Sequence, residues 1–251
     1  MAEALLSARG VSVRFGGLTA VNAVDLDVRA GELVGIIGPN GAGKTTFFHT
    51  LSGVLRPTEG RLIVAGDDLT GCAPHVYAAH GVARTFQTPR VFRDMPAGDN
   101  VRFALEFAGR LRRHAHDAFD DAETILGFLG LAEVAAMPAG ALTPARQRLL
   151  EIGVALGARP RVLLLDEVAA GLTHTEVDAT AQLVRRVRDE LGVAVIWIEH
   201  AVRALMDTVE RVAVLHQGAK IADGDPRAVA KQSTVIEAYL GEEGGPERIA
   251  A

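Results

Sequence analysis

The sequence predicts an α/β fold: a mostly parallel sheet with helices on its faces, antiparallel strands at the N-terminal end and a helical stretch in the middle. Three observations carry this. Short apolar runs, "LVGII" at 33–37 and "VLLLD" at 162–166, read as strands buried on both faces. From residue 161 onward strand and helix patterns alternate, the order that βαβ units require. The first thirty residues instead alternate apolar and polar positions, as half-buried antiparallel strands do.

Val11, Val13 and Phe15 alternate with polar neighbours, and Val24, Leu26 and Val28 repeat the pattern. "LVGIIG" at 33–38 is followed by a Gly-rich turn and a helix that starts at Lys44. "TEGRLIVAGDDLT" at 58–70 returns to short strands and turns. From about 98 to 135 the pattern is helical: Phe103 and Phe107 stand four apart, then come Ala122, Ile125, Leu126 and Leu129. The charged run "RLRRHAHDAFDD" at 110–121 reads as a solvated helical face. The last third gives a strand at 161–166, a helix at 175–191, a strand at 193–198, a helix at 201–208 and a strand at 211–216. The tail, "GEEGGPERIAA" at 241–251, reads as loose.

Composition narrows the function. With 251 residues, 49% hydrophobic and 23% charged, the chain can bury a sizeable core and is not a disordered segment. A formal net charge of −5 gives no pull toward nucleic acid or anionic lipid. No apolar run approaches the ~20 residues of a membrane-spanning helix. "MAEALLSARG" lacks the basic and longer apolar segments of a secretory signal. Cys72 is the single cysteine, which excludes an internal disulfide and a Cys-based zinc cage. These features predict a soluble cytoplasmic globule that meets a membrane only through a partner.

Two motifs carry chemistry. "GPNGAGKTT" at 38–46 fits G-x-x-x-x-G-K-[ST] between a buried strand and a helix, the setting of a phosphate-binding P-loop. Gly38, Gly41 and Gly43 let the backbone of Gly38, Pro39, Asn40, Gly41, Ala42 and Gly43 fold around an anion. Backbone N–H groups and the helix start, through Thr46, would face the phosphates of ATP. Lys44 would add charge at the β- and γ-phosphates, and Thr45 a hydroxyl for Mg²⁺. "RVLLLDE" at 161–167 ends an apolar strand in two carboxylates, at the edge where open α/β sheets bind ligands. Asp166 would hold Mg²⁺, and Glu167 would polarise the attacking water, a role worth roughly 10²–10⁴-fold.

With these motifs in place, the sequence resembles the ATP-binding subunits of ABC transporters along nearly its whole length. "RTFQ" at 84–87 looks like the Q-loop, which implies that Gln87 senses Mg²⁺ or water and links the core to a helical insert. "WIEH" at 197–200 looks like the switch-histidine strand, with His200 reaching the γ-phosphate. Phe15 stands where the family stacks an aromatic on adenine, a contact worth roughly 1–3 kcal/mol per base. The resemblance implies one cassette: 1–87 and 155–240 as the nucleotide-binding core with its β-subdomain, 88–154 as a helical subdomain. "VRFGGLTAVNAVDL", "RTFQTPRVFRDM", "EVAAGLT" and "QGAKIADGDPRAV…VIEAYLGEE" are similar to the ATPases of branched-chain (hydrophobic) amino acid importers, and importers of urea and short amides share much of this. The implied partners are a second ATPase subunit of different sequence, transmembrane permease subunits at the inner face of the membrane and, indirectly, an extracytoplasmic solute-binding protein. Phe86, Pro89, Val91 and Phe92 would cradle a short helix of the permease.

One segment departs from the family. Where LSGGQ is usual, this chain has "LTPARQ", Leu142 to Gln147. Thr143 keeps the hydroxyl that would reach, in trans, a γ-phosphate held by the partner's P-loop. Pro144 has no N–H to donate, Ala145 adds a methyl and Arg146 a cation. Thr143 as N-cap and Pro144 at the first helical position still make a good helix start. Val168 stands where Pro is usual and Thr173 where Asp or Asn is. The alternative to a hydrolysing importer subunit is therefore a nucleotide-binding module that closes on ATP with little turnover.

Overall fold

The computed structural model describes residues 3–110, 119–199 and 202–240. Its elements run β1 (Leu6–Phe15), β2 (Leu18–Val28), β3 (Leu33–Ile37), α1 (Lys44–Leu51), β4 (Glu59–Val64), β5 (Asp67–Asp68), α2 (Pro74–Ala79), β6 (Val82–Arg84), α3 (Ala97–Arg110), α4 (Ala122–Phe128), α5 (Pro144–Gly157), β7 (Val162–Asp166), α6 (His174–Leu191), β8 (Ala194–Ile198), α7 (Val202–Met206), β9 (Arg211–His216), β10 (Ala219–Gly224), α8 (Pro226–Val229) and α9 (Ser233–Leu240). Residues 111–118 of the charged run, His200, Ala201 and the tail 241–251 lie outside the described residues.

The continuously apolar runs form the centre of a six-stranded sheet of order β10-β9-β3-β8-β7-β6. β3 pairs in parallel with β8 and β9, and β7 with β8 and β6. β10 returns antiparallel beside β9 through the Gln217–Gly218 turn. Both faces of the sheet are covered, and the side chains divide between two cores by strand alternation. Leu33, Ile37, Leu163, Leu165, Val195 and Trp197 join one core with residues of α3, α4, α5 and α6. Val34, Ile36, Val162, Leu164, Ile196 and Ile198 face α1 and a second, antiparallel sheet of order β2-β1-β4-β5.

In β1 the strict alternation fails. Register shifts between Ala8 and Val11, Val11 and Val13, and Val13 and Arg14 mark bulges, which re-aim successive side chains. Ser12 is consequently buried, its hydroxyl accepting from the N–H of Ala23 at 2.9 Å, while Phe15 is 51% exposed rather than half-buried.

The helical stretch divides into α3, α4 and α5, which bury Val101, Ile125, Leu126, Leu129 and Leu150 together. Phe103 and Phe107 have helical spacing but lie on the outer side, 44% and 54% exposed. α6 starts in a capping box, with the Thr173 N–H donating to Glu176 Oε2 at 2.8 Å, and ends at Gly192 in the left-handed conformation (φ 65°). Thr173 is thus a helix cap, a place that Asp or Asn fills equally well. Among the described residues no helix is long and apolar enough to cross a membrane.

Candidate functional site

The Gly-rich turn joins β3 to α1 and lies against β2 and the β9–β10 turn. Gly43 is the N-cap of α1 with φ 96°. A Cβ there would stand 2.3 Å from the carbonyl oxygen of Ala20 in β2, and one on Gly38 would stand 2.1 Å from that of Leu215. The loop is braced from outside: Gly218 N–H donates to Ala42 O at 3.0 Å and Asn22 N–H to Gly218 O at 2.8 Å. Lys44 is buried, and its Nζ donates to Gly38 O at 2.6 Å and Pro39 O at 2.9 Å, so the cation is folded into the loop's concavity. Beside it opens a cleft of about 720 Å³, lined by Asn40, Gly41, Ala42, Gly43, Lys44, Thr45 and Thr46, with Phe15 and Leu18 at its rim.

Gln87 and Glu167 line the same cleft. Their distance in sequence is large, yet Gln87 Nε2 donates to Glu167 Oε2 at 2.9 Å. Glu167 follows β7 with a left-handed backbone (φ 50°), costly for a residue with a side chain and held by its N–H donating to Ile198 O at 2.9 Å. Asp166 ends β7, 3% exposed, and accepts from Arg84 Nη2 at 3.4 Å. Arg84 also donates to Ser52 Oγ at 3.0 Å and lies over the ring of Phe86. Burial lowers the Arg84 pKa from its ordinary value, and the carboxylate of Asp166 works against that.

A second buried carboxylate stands behind Gln87. Glu151, midway along α5 and 3% exposed, accepts from the N–H of Phe86 at 3.2 Å and of Arg90 at 2.9 Å. Burial pushes its pKa up to about 7, against the pull of those two N–H groups, Arg148 and Arg84. On the other side, Glu199 Oε1 at the end of β8 accepts from Ala169 N–H at 2.6 Å and Trp197 Nε1 at 3.2 Å, fixing the turn after Glu167. Val168 is buried in that turn.

At the start of α5, Thr143 caps as expected, its Oγ1 accepting from the Arg146 N–H at 3.3 Å, with Pro144 in the first turn. Arg146 is turned aside to Glu133, Nη2 to Oε1 at 2.9 Å. Thr143 is not among the residues lining the cleft beside Lys44. On the outer side, Phe92, Phe103 and Phe107 form an exposed ladder with ring centroids 5.3 and 5.4 Å apart. Phe86, by contrast, is half-buried between the guanidinium groups of Arg84 and Arg90, and Val91 packs on the core.

The structure therefore brings together Phe15, residues 40–46, Gln87 and Glu167 around one cleft, with Gly38 and Pro39 holding Lys44 through their carbonyls and Asp166 adjacent to Glu167 in sequence. His200 lies outside the described residues. Sequence reasoning did not single out Gln217, Gly218, Thr19 and Ala20, which also line the cleft, nor Arg84, Glu151 and Glu199 behind it. The two glutamates sit in apolar surroundings ("RLLEIGV", "VIWIEH"), and a charged residue inside a buried run is the signal that marks them.

Residues 21–170 match the ABC transporter family, and residues 219–245 match the branched-chain amino acid ATP-binding cassette transporter family. The chain is 40% identical to the high-affinity branched-chain amino acid transport ATP-binding protein BraF of Pseudomonas aeruginosa, covering 96% of this chain and 100% of that one. It is 39% identical, with the same coverage, to the corresponding protein LivG of Escherichia coli. Its fold is similar to the crystal structure of an ABC transporter ATP-binding cassette in its ADP conformation, with TM-score 0.84 and 27% identity over 96% of this chain and 100% of that one.

Proposed function

The chain belongs to the ABC transporter ATP-binding family, an ATPase subunit that powers a membrane importer, and we propose that the solute of that importer is a branched-chain or other hydrophobic amino acid. The observation that carries the site assignment is the meeting of Gln87 and Glu167 in the cleft beside Lys44. Binding starts with the β- and γ-phosphates of ATP in loop 38–43, where N–H groups and the start of α1 favour anions. Lys44, released from Gly38 O and Pro39 O, turns to the phosphates. Phe15, exposed at the rim, lies under the base.

The donor set fits Mg²⁺: the Thr45 hydroxyl, the Gln87 amide oxygen and the Asp166 carboxylate are hard oxygen donors that would hold the ion, and Arg84 Nη2 keeps the Asp166 carboxylate in place at 3.4 Å. The ion, when bound, neutralises charge that develops on the β- and γ-phosphate oxygens. Glu167, oriented by Gln87, takes the proton of the attacking water. His200 is assigned to the γ-phosphate. A second cassette of different sequence supplies the facing surface, and closure and reopening of the pair drives the permease. The exposed Phe92, Phe103 and Phe107 ladder is the docking surface for a permease helix on the cytoplasmic face of the membrane. A solute-binding protein outside the membrane selects the cargo.

Uptake tests this. The chain is purified with its membrane partners, reconstituted, and supplied with ATP, Mg²⁺ and labelled leucine, with urea as a control solute. Leucine is expected to accumulate, and Lys44→Ala is expected to abolish both ATP retention and uptake. Accumulation of urea alone would overturn the solute assignment, and full uptake by Lys44→Ala would overturn the site.

A further inference from the structure

We propose that Glu151 is the positioning residue for Gln87, and that it ties the loop carrying Gln87 to helix α5. The inference rests on the reading of Gln87 and Glu167 given above. The sheet pairing of this segment ends at Thr85, whose N–H donates to Leu164 O at 2.9 Å. Beyond it Gln87 and Thr88 are exposed, and Pro89 has no N–H. Glu151 Oε1 takes the N–H of Phe86 on one side of this stretch and of Arg90 on the other. One oxygen thus pins both ends of a loop whose middle carries Gln87 to Glu167. The pin is buried, so water does not readily replace it.

The same helix carries Thr143 at its N-cap. Glu151 lies eight residues further on, roughly 12 Å along a rigid rod. A tilt of α5 therefore carries Phe86 and Arg90 with it and moves Gln87 against Glu167. Contact of a partner with the start of α5 is in this way converted into placement of Gln87 on the catalytic carboxylate. The second oxygen, Oε2, is buried with no hydrogen-bond partner among the described residues, so the pin depends on Oε1.

The test is a double-mutant cycle in the complete transporter, reading turnover per bound nucleotide. Glu151→Leu removes the acceptor and is expected to lower kcat about tenfold with ATP KM changed less than about threefold. Glu151→Gln keeps a carbonyl oxygen and is expected to recover kcat to within about threefold of wild type. On a Gln87→Ala background, Glu151→Leu is expected to add less than about twofold, because the two act through one contact. Wild-type kcat in Glu151→Leu, or the same loss on both backgrounds, would overturn the proposal. Should the leucine variant not assemble, Glu151→Asp, which draws the acceptor back by one methylene, must give the same non-additive loss, and an additive one overturns it. A wild-type complex with no ATP turnover would overturn the ATPase assignment itself and this inference with it.

Discussion

Restoring Ser-Gly-Gly-Gln at 143–146 should speed hydrolysis in the composite site that the start of α5 completes. The structure gives the donor count. Pro144 has no N–H, and that of Arg146 is spent on Thr143 Oγ1. The Arg146 guanidinium is engaged with Glu133. Of the first turn, this leaves the Ala145 N–H to meet an anion. Glycine at 144 supplies another donor and glycine at 145 removes the methyl beside it. A hydrogen bond to a charged oxygen contributes about 1.5–3 kcal/mol. Against this, glycine in place of a pre-organised first-turn proline costs about 1 kcal/mol. The exposed Arg146–Glu133 pair is worth roughly 0–1 kcal/mol. If the glycine cost falls on stability and the new bond acts in the transition state, turnover rises about tenfold to a hundredfold. The assay is ATP hydrolysis by the assembled transporter carrying Glu167→Gln in this chain, which silences the site on its own P-loop. The remaining rate reports the site built on the partner's P-loop and this chain's α5. An unchanged rate in the restored variant would refute the donor count as the cause of slow turnover at that site.

Three other outcomes follow from the same geometry. Gly43→Ala puts a methyl 2.3 Å from Ala20 O at φ 96°, so the loop must leave β2, and ATP affinity measured with a fluorescent analogue should fall about tenfold or more; unchanged affinity would refute the need for that close approach. Glu151 has its pKa raised to about 7 from 4.5, so the folded state binds the proton more tightly and stability is lost as pH rises through that window. Glu151→Gln lacks this penalty and should gain on wild type in thermal melts between pH 5 and pH 8, by at most roughly 3 kcal/mol. Phe103→Glu with Phe107→Glu changes exposed positions, so folding should shift by less than about 1 kcal/mol while co-purification with the permease is lost.

What could be read from the sequence depended on whether a feature was local. β3, β7 and β8 were readable because burial on both faces leaves a strand no polar position to spend. The Gly-rich turn before α1 was readable because its glycines answer to a single turn. Phe15 was placed at the site but its alternation was misjudged, since bulges in β1 re-aim side chains without any mark in composition. Phe103 and Phe107 marked the helix, but their spacing did not say which face they lie on: periodicity reports that a stripe exists, not whether the protein's own core covers it.

Arg84, Glu151 and Glu199 escaped because each acts on a group far away in the chain. All three are ionisable, buried or nearly so, and joined to the segment around Asp166, Glu167 or Gln87 by hydrogen bonds. Burying a charge is costly unless its bonds are made, so a fold that keeps three beside one cleft uses them to hold geometry rather than to gain stability. The Gly-rich turn is braced through its own backbone, whereas Gln87 stands on a loop with two N–H groups pinned to α5. On the proposed reading, the phosphate-binding half of the site is preformed, and the half that would trigger hydrolysis is set by where α5 sits. An ATPase built this way binds nucleotide before it is committed to cleave it, which is the order that coupling to a partner requires.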